Sequence, residues 1–238
     1  MSDFTGKHVL VTGGSQGIGY ETAKAFAEAG ADVTITGTRA SASDYDDDLS
    51  AFKYISCDVS DDAQRAALCG GIEQLDVLVN NAGMGGGPQE FEMDTFRKVL
   101  EVNLMSIHDI ATRLFPLLEK SGGNIVNIGS CASFLSIPNA PAYTTSKAAV
   151  LGITRAQADH GAKRGVRANM VAPGFIETRM TSGLDENAEF KAKLVRTIPM
   201  RRMGTPDEMA PIVLFLASDG ASYITGQSLI ADGGLVLH

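Results

Sequence analysis

The feature of this chain that most restricts its fold is the alternation of short apolar runs with longer helical patterns. Runs rich in Val and Ile without clean polar alternation are typical of parallel strands that helices cover on both faces. Seven strands are predicted: HVLVT from His8, DVTIT from Asp32, FKYIS from Phe52, LDVLVN from Leu75, NIVNI from Asn124, VRANMVA from Val166 and QSLIA from Gln227. Helices are predicted at about 18–29, 61–71, 94–118, 142–162 and 206–217. The pattern indicates an α/β fold, a doubly wound parallel sheet with helices on both faces.

The 238 residues are expected to form a single domain, 1–238, because no linker rich in Pro, Gly or Ser separates two halves. The acidic run SDYDDDLS from Ser43 is interpreted as a solvated loop. Its brevity leaves little room for a crossover helix between the second and third strands.

Charge and hydropathy exclude several classes of function. A formal net charge of −8 argues against nucleic-acid binding. The longest apolar runs, such as 211–217, are too short to span a membrane, and the N-terminus does not resemble a secretory signal, so the cytoplasm is the expected location. The three cysteines, Cys57, Cys69 and Cys131, match no metal-binding spacing and are interpreted as buried thiols, and no metal site is predicted.

A glycine-rich turn, TGGSQGIG from Thr12, follows the first strand. Glycines at such a junction allow a tight turn, and they let backbone N–H groups approach a pyrophosphate at the positive end of a helix dipole. The spacing is G-x-x-x-G-x-G rather than G-x-G-x-x-G. Purely steric reasons also produce such turns, but the position after strand one favours nucleotide binding.

Several further motifs, taken with the glycine turn, resemble those of the classical short-chain dehydrogenase/reductase family over nearly the whole chain. They are NNAG at 80–83, VNL around Asn103, IGS ending at Ser130, YTTSK at 143–147 and PGFIET at 173–178. The order and spacing of these motifs are specific, including the offset of thirteen positions from Ser130 to Tyr143. The resemblance implies a Rossmann-type fold and an oxidoreductase that transfers a hydride between a nicotinamide cofactor and a carbonyl or secondary alcohol.

The resemblance implies a catalytic set of Asn103, Ser130, Tyr143 and Lys147. Tyr143 and Lys147 are four residues apart and lie on one helical face, a spacing that also occurs by chance. A nearby ammonium favours the phenolate, so Lys147 is expected to make Tyr143 usable as a proton donor or base. Ser130 would hydrogen-bond the substrate oxygen or would be a turn serine. Asn103 would kink its helix and anchor a water, or would be a surface residue.

The cofactor-binding residues implied by the resemblance lie in the glycine turn and after later strands. They are Gly13, Ser15, Gln16, Gly17, Ile18, Gly19, Thr38, Arg39, Asp58, Val59, Asn81, Ala82, Gly83, Tyr143, Lys147, Pro173, Gly174, Ile176 and Thr178. Asp58 is also suited to capping the next helix, although Ser60 is better placed.

The end of the second strand bears on cofactor choice. An acid there would select NAD, but the chain has Gly37, followed by Thr38 and Arg39, which suit the 2′-phosphate of NADP. NADP is therefore the expected cofactor. Two features oppose this prediction and leave NAD open: Gln16 stands where many NADP-using relatives have a basic residue, and acids lie nearby at 44–48.

A polar stretch at about 175–202 is expected to be a substrate lid. Its apolar residues Met180, Phe190, Leu194 and Met200 would contact substrate or pack the flap. The pattern is closest to 3-oxoacyl-acyl-carrier-protein reductases, which implies NADPH-dependent reduction of a 3-oxoacyl or similar ketone. An NAD-dependent dehydrogenase of a sugar, polyol or small alcohol, and a nucleotide-binding sensor or scaffold, are the alternatives.

An acidic carrier protein would need a basic patch near the site entrance. The candidates are Arg164, Arg167, Arg179, Arg201 and Arg202, and their alternative is scattered surface charge. By analogy with the family, a homotetramer is expected.

Overall fold

The parallel sheet of this protein has seven strands in the order β3-β2-β1-β4-β5-β6-β7. The computed structural model describes residues 3–184 and 187–237. The strands are β1 His8–Thr12, β2 Asp32–Gly37, β3 Lys53–Ser56, β4 Val77–Asn80, β5 Asn124–Ile128, β6 Arg167–Pro173 and β7 Ser228–Ala231. All strand pairs are parallel, and the strand order reverses between β1 and β4. The predicted doubly wound Rossmann-type sheet is confirmed.

Helices connect the strands across both faces of the sheet. They are α1 Gly17–Glu28, α2 Asp62–Gly70, α3 Met93–Leu100, α4 Ser106–Ser121, α5 Pro141–Ala162, α6 Ala188–Thr197 and α7 Pro206–Ala217. The connection from β2 to β3 holds only a short 3-10 turn, Ala42–Asp44, as the brevity of the acidic loop predicts.

Both faces of the central strands are buried, which explains their unbroken apolar composition. Successive side chains of a strand point to opposite faces. Val9 and Val11 pack in one cluster with Phe26 of α1, whereas Leu10 packs in a second cluster with Ile110 of α4. The sheet is therefore a rigid platform whose carboxyl edge carries the loops of interest.

The predicted helix at 94–118 is interrupted. A π-helical turn, Glu101–Met105, separates α3 from α4. The three cysteines are buried free thiols, as predicted. Among residues 3–184 and 187–237, no helix has the length and apolar character needed to span a membrane.

Candidate active site

The carboxyl ends of the central strands open into a cavity of about 1190 Å³. In open parallel sheets, ligands bind beyond these ends at the point where strand order reverses, which here lies between β1 and β4. The cavity exceeds the roughly 300–1,000 Å³ typical of a small-ligand site. Its lining includes every cofactor-binding residue that the sequence predicts, together with Ser130. Among the predicted catalytic residues, Asn103 is not part of this lining.

The glycine turn between β1 and α1 is packed too closely for side chains. Gly13 has a φ of 62°, and a Cβ there would lie 2.9 Å from the Cα of Ala82. A Cβ at Gly19 would overlap the carbonyl oxygen of Gly13. Gln16, the N-cap residue of α1, directs its Oε1 to Arg179 (2.8 Å) instead of to the first turn of the helix. The backbone N–H groups of that turn suit a pyrophosphate, so the turn fits a dinucleotide.

Thr12 links this turn to the segment after β4. Its Oγ1 accepts hydrogen bonds from the backbone N–H groups of Asn81 (3.0 Å) and Ala82 (3.1 Å). The Asn81 side chain donates to the carbonyl oxygens of Thr12 (3.1 Å) and Gly13 (2.9 Å). The side-chain amide of Asn81 therefore fixes the turn itself. Thr12 begins the glycine-turn motif but is not among the predicted site residues, and the structure shows its role in holding the turn.

Tyr143 and Lys147 occupy the first two turns of α5. The Lys147 Nζ atom lies 5.7 Å from the centroid of the Tyr143 ring and donates a hydrogen bond to the carbonyl oxygen of Ile128 at 2.9 Å. Only 4% of Lys147 is exposed. The predicted pairing of phenol and amine on one helix face is confirmed.

The expected effect of this pairing on the tyrosine differs from what the structure indicates. Burial raises the pKa of Tyr143 above 10.0, and the hydrogen bond from Ser130 opposes this rise only in part. Burial also lowers the pKa of Lys147 to about 8, because the charged amine loses its solvation. Desolvation therefore outweighs any stabilisation of the phenolate by Lys147, and the net pKa of Tyr143 lies above its usual value.

Asn103 lies in the π-helical turn and is completely buried. Its Oδ1 accepts from the backbone N–H of Met84 (2.8 Å), and its Nδ2 donates to the carbonyl of Met84 (2.8 Å) and to Ser146 Oγ (3.0 Å). A Cβ at Gly83 would lie 3.5 Å from both Asn103 Oδ1 and Lys147 Nζ. The surface alternative for Asn103 is wrong: this residue ties the loop after β4 to α5.

Ser130 lies two residues after the end of β5, and its Oγ accepts a hydrogen bond from the backbone N–H of Ala132 at 3.1 Å. It is 6% exposed and lines the cavity. The interpretation of Ser130 as a turn serine is therefore correct in part, because its hydroxyl caps a short 3-10 turn. The same hydroxyl also lies beside Tyr143.

Tyr45, which belongs to the acidic loop, packs against the residues at and just after the end of β2. The Arg39 guanidinium lies 4.7 Å from the centroid of the Tyr45 ring, and the Tyr45 hydroxyl accepts from the backbone N–H of Arg39 at 3.0 Å. A Cβ at Gly37 would overlap the Tyr45 hydroxyl and would lie 2.9 Å from Ser15 Oγ. The space for an acidic side chain at position 37 is thus filled. The reading of 43–50 as a plain solvated loop missed Tyr45, which lines the cavity.

Asp58 also lines the cavity, and its Oδ1 accepts from Ser60 N (2.9 Å) and Ser60 Oγ (2.7 Å). Neither residue caps α2. The N-cap is Asp61, whose Oδ1 accepts from the backbone N–H of Gln64 at 3.1 Å. The suggestion that Asp58 or Ser60 caps this helix is therefore wrong.

The cavity lining also contains apolar residues outside the predicted cofactor set. They include Met84, Phe91, Ile137, Pro138, Phe175 and Met180. Among the apolar residues predicted for the lid, Met180 lines this cavity, whereas Met200 lines a second cavity near the C-terminus. Two further lining residues, Glu90 and Lys98, carry charge and belong to no motif.

The five arginines proposed as a basic patch do not gather in one place. Arg167 donates to the backbone carbonyls of Leu216 and Ser218. Arg202 forms an ion pair with Glu208 at 2.6 Å. Only Arg179 of the five lines the main cavity. The predicted patch is therefore reduced to Arg179, and Lys98 is a further basic residue in the cavity lining.

Comparisons with known proteins agree with this geometry. A sequence model of the family described as "Enoyl-(Acyl carrier protein) reductase" matches residues 13–236. The "3-oxoacyl-[acyl-carrier-protein] reductase FabG" of Chlamydia muridarum is 37% identical over 96% of this chain and 97% of its own length. Together these matches decide the family.

The chain belongs to the short-chain dehydrogenase/reductase family. It is an NAD(P)-dependent oxidoreductase acting on CH–OH and carbonyl groups.

Solved structures of similar proteins include an aldohexose dehydrogenase from Thermoplasma acidophilum as well as gluconate dehydrogenases. The Pseudomonas aeruginosa RhlG/NADP active-site complex is 33% identical, with a TM-score of 0.89 over 98% of both chains. A gluconate 5-dehydrogenase from Burkholderia cenocepacia, in complex with NADP and tartrate, is 30% identical with a TM-score of 0.90, covering 99% of this chain and 97% of the other. The fold alone therefore does not select a substrate.

Proposed function

We propose that this enzyme reduces the ketone of a 3-oxoacyl substrate with NADPH. One observation carries the proposal: Ser130 and Tyr143 line a single cavity with the glycine turn, and the same cavity is also lined by several apolar residues, among them Met84, Phe91, Ile137, Phe175 and Met180. An apolar lining suits an acyl chain, whereas a sugar would need several polar partners. The reductase of Chlamydia muridarum and the NADP complex of the Pseudomonas protein support the same choice.

The proposed mechanism assigns a step to each polar side chain. NADPH, when bound, supplies the hydride that reduces the carbonyl carbon. Ser130 donates a hydrogen bond to the carbonyl oxygen and holds it near Tyr143. Tyr143 then gives its proton to that oxygen, and the Lys147 ammonium stabilises the phenolate that forms. The raised pKa of Tyr143 keeps the phenol protonated before the reaction, which suits the reductive direction.

Selection of the 2′-phosphate is assigned to Arg39, with Thr38 beside it. The Tyr45 ring stacks on the Arg39 guanidinium and orients it, and Tyr45 fills the space where an acid would repel the phosphate. At the glycine turn, Arg179 contacts Gln16, so a cation reaches this region although position 16 is uncharged. This contact answers the objection that Gln16 raised from sequence.

Initial-rate kinetics test the proposal. Acetoacetyl-coenzyme A, a 3-oxoacyl thioester, and gluconate are assayed with both nicotinamide cofactors in the matching redox direction. We expect the highest kcat/KM with acetoacetyl-coenzyme A and NADPH. Gluconate oxidation without thioester reduction would replace the proposal with the sugar dehydrogenase alternative, which the Burkholderia structure favours.

Arg39→Glu tests the cofactor assignment separately. Loss of a charge-assisted bond of about 1.5–3 kcal/mol should lower kcat/KM for NADPH roughly ten- to hundredfold while NADH is retained or improved. Arg97→Glu is the matched control, because Arg97 is exposed and pairs only locally with Asp94. Equal losses with both cofactors in Arg39→Glu would contradict the assignment.

A carrier-bound substrate is a further part of the proposal, supported by Lys98 and Arg179 in the cavity lining. The lid at 175–202, the homotetramer and the cytoplasmic location stay predictions from the sequence.

A further inference from the structure

Glu90 is a buried carboxylate beside the proposed catalytic tyrosine. It lies between β4 and α3 and is 1% exposed. Its Oε2 accepts a hydrogen bond from the backbone N–H of Tyr143 at 2.8 Å, and its Oε1 accepts from the backbone N–H of Gly86 at 2.7 Å. One side chain therefore joins the substrate-side loop to the helix that carries Tyr143.

The position of Glu90 compensates for a weak N-terminus of α5. The first N–H groups of a helix lack partners within it, and a negative charge there is favourable. The N-cap residue Ala140 has a methyl side chain that cannot accept a hydrogen bond, and Pro141 has no N–H. The carboxylate of Glu90 supplies the acceptor for the third residue, Tyr143. Removing it would loosen the turn that presents the phenol.

The charge of Glu90 also acts on the phenol. The groups that face Tyr143 are Ser130 and Cys131 after β5, Lys147 on α5 and Glu90. Burial raises the pKa of Tyr143, Ser130 opposes the rise, and the negative charges of Cys131 (when ionised) and Glu90 add to it. Among the residues that face Tyr143, Glu90 is the one that carries a carboxylate.

We propose that Glu90 is a positioning residue for the reaction: its carboxylate ties the Tyr143 backbone to the loop after β4, and its negative charge acts on the Tyr143 hydroxyl. The inference rests on the proposed function, because it takes Tyr143 as the proton donor.

Glu90→Gln tests the inference, because the amide replaces one acceptor with a donor that faces an N–H group. Misplacement of the phenol should lower kcat for acetoacetyl-coenzyme A roughly ten- to hundredfold, while KM for NADPH is unchanged.

Loss of the negative charge in Glu90→Gln lowers the pKa of Tyr143. In 3-hydroxybutyryl-coenzyme A oxidation, which needs the phenolate, the rising limb of kcat/KM should therefore move to lower pH. Glu92→Gln, an identical change at an exposed position, should alter neither.

Gly86→Ala is a second variant that keeps the charge but displaces the carboxylate. Its Cβ would lie 2.6 Å from both Glu90 Cγ and Thr95 Cγ2, whereas a Cβ at Gly85 would lie 3.7 Å from Glu90 Oε1, an ordinary contact. We expect a lower kcat in Gly86→Ala than in Gly85→Ala. If Glu90→Gln fails to fold, equal kcat in these two alanine variants overturns the proposal.

Wild-type kcat in Glu90→Gln, or a reduced kcat with an unmoved pH limb, would also overturn it. Failure of the proposed function would appear differently, as wild-type protein that does not reduce the thioester. The ultraviolet difference titration of wild type against Tyr143→Phe reports the phenol without turnover. Repeated in the Glu90→Gln background, it should show Tyr143 ionising at lower pH, and an unmoved titration refutes the charge effect.

Discussion

At the scale of single residues, Lys147 is a buried amine whose charge is costly to keep. Its folded pKa of about 8, against 10.5 for the free side chain, arises from desolvation. Between these values the unfolded chain holds a proton that the folded chain has lost. Stability that is missing below about pH 8 is therefore regained as the pH rises toward 10.5.

This linkage predicts a pH-dependent difference between wild type and Lys147→Met. From pH 8 to 10.5, the free energy of unfolding of wild type should rise by up to about 3 kcal/mol relative to the variant. Chemical denaturation at several pH values measures it. Lys163→Met, at an exposed lysine just beyond α5, is the control for the loss of a lysine outside the core. A difference between wild type and Lys147→Met that does not change with pH would contradict the assigned pKa.

Tyr143→Phe removes one oxygen atom from the site. Because the phenol is the proposed general acid, kcat should fall by roughly two to four orders of magnitude while NADPH affinity is retained. Stopped-flow hydride transfer and fluorescence titration measure the two quantities. Tyr223→Phe is the control, since Tyr223 lies on the surface. Unchanged turnover in Tyr143→Phe would remove the phenol from the mechanism.

Residues that belong to a sequence motif can be predicted from the sequence, whereas residues that act only through tertiary contacts cannot. Ser130, Tyr143 and Lys147 have recognisable spacing, and the residues of the glycine turn have an obvious steric role. Glu90 and Tyr45 lie in loops without a periodic pattern, and their roles depend on partners 53 residues away in one case and six in the other. Burial of a single acid is a tertiary property that local sequence does not encode.

At the scale of elements, the strands were predicted well because their apolar composition follows directly from burial on both faces. The break between α3 and α4 does not show in the periodicity, because the segment around Asn103 keeps a helical pattern, and only the family resemblance implied a kink there. Its π-helical turn depends on the three hydrogen bonds that Asn103 makes with Met84 and Ser146. Such contacts form only when α5 and the loop after β4 are in place.

Helix α6 differs from the other long helices, because every residue of Ala188–Thr197 is at least partly exposed. In α5, by contrast, Ser146, Val150 and Thr154 are completely buried. Few buried contacts mean a small free energy of local opening. Amide hydrogen exchange followed by mass spectrometry should therefore show faster exchange in α6 than in α5. Equal protection would argue against α6 as part of a lid that opens.

At the scale of the whole molecule, the strand order brings distant segments to one edge. The glycine turn after β1, Ser130 after β5 and the segment after β6 line the same cavity although about 160 residues separate the first from the last. The contact from Arg179 to Gln16 spans 163 positions of sequence. A cofactor bound there would contact both halves of the sheet and would stabilise the fold as a unit.

Cofactor binding is therefore expected to raise the melting temperature, and NADPH more than NADH. A ligand at about 100 times its Kd adds roughly 2.7 kcal/mol, which for a chain of this size corresponds to roughly 5 to 10 °C. Differential scanning fluorimetry at equal cofactor concentrations measures the shift without any substrate. Arg39→Glu should lose the NADPH shift and keep that of NADH, because only the 2′-phosphate contact is changed. An equal shift with both cofactors in wild type would mean that Arg39 does not discriminate between NADPH and NADH. The NADPH assignment would then be wrong whatever the substrate.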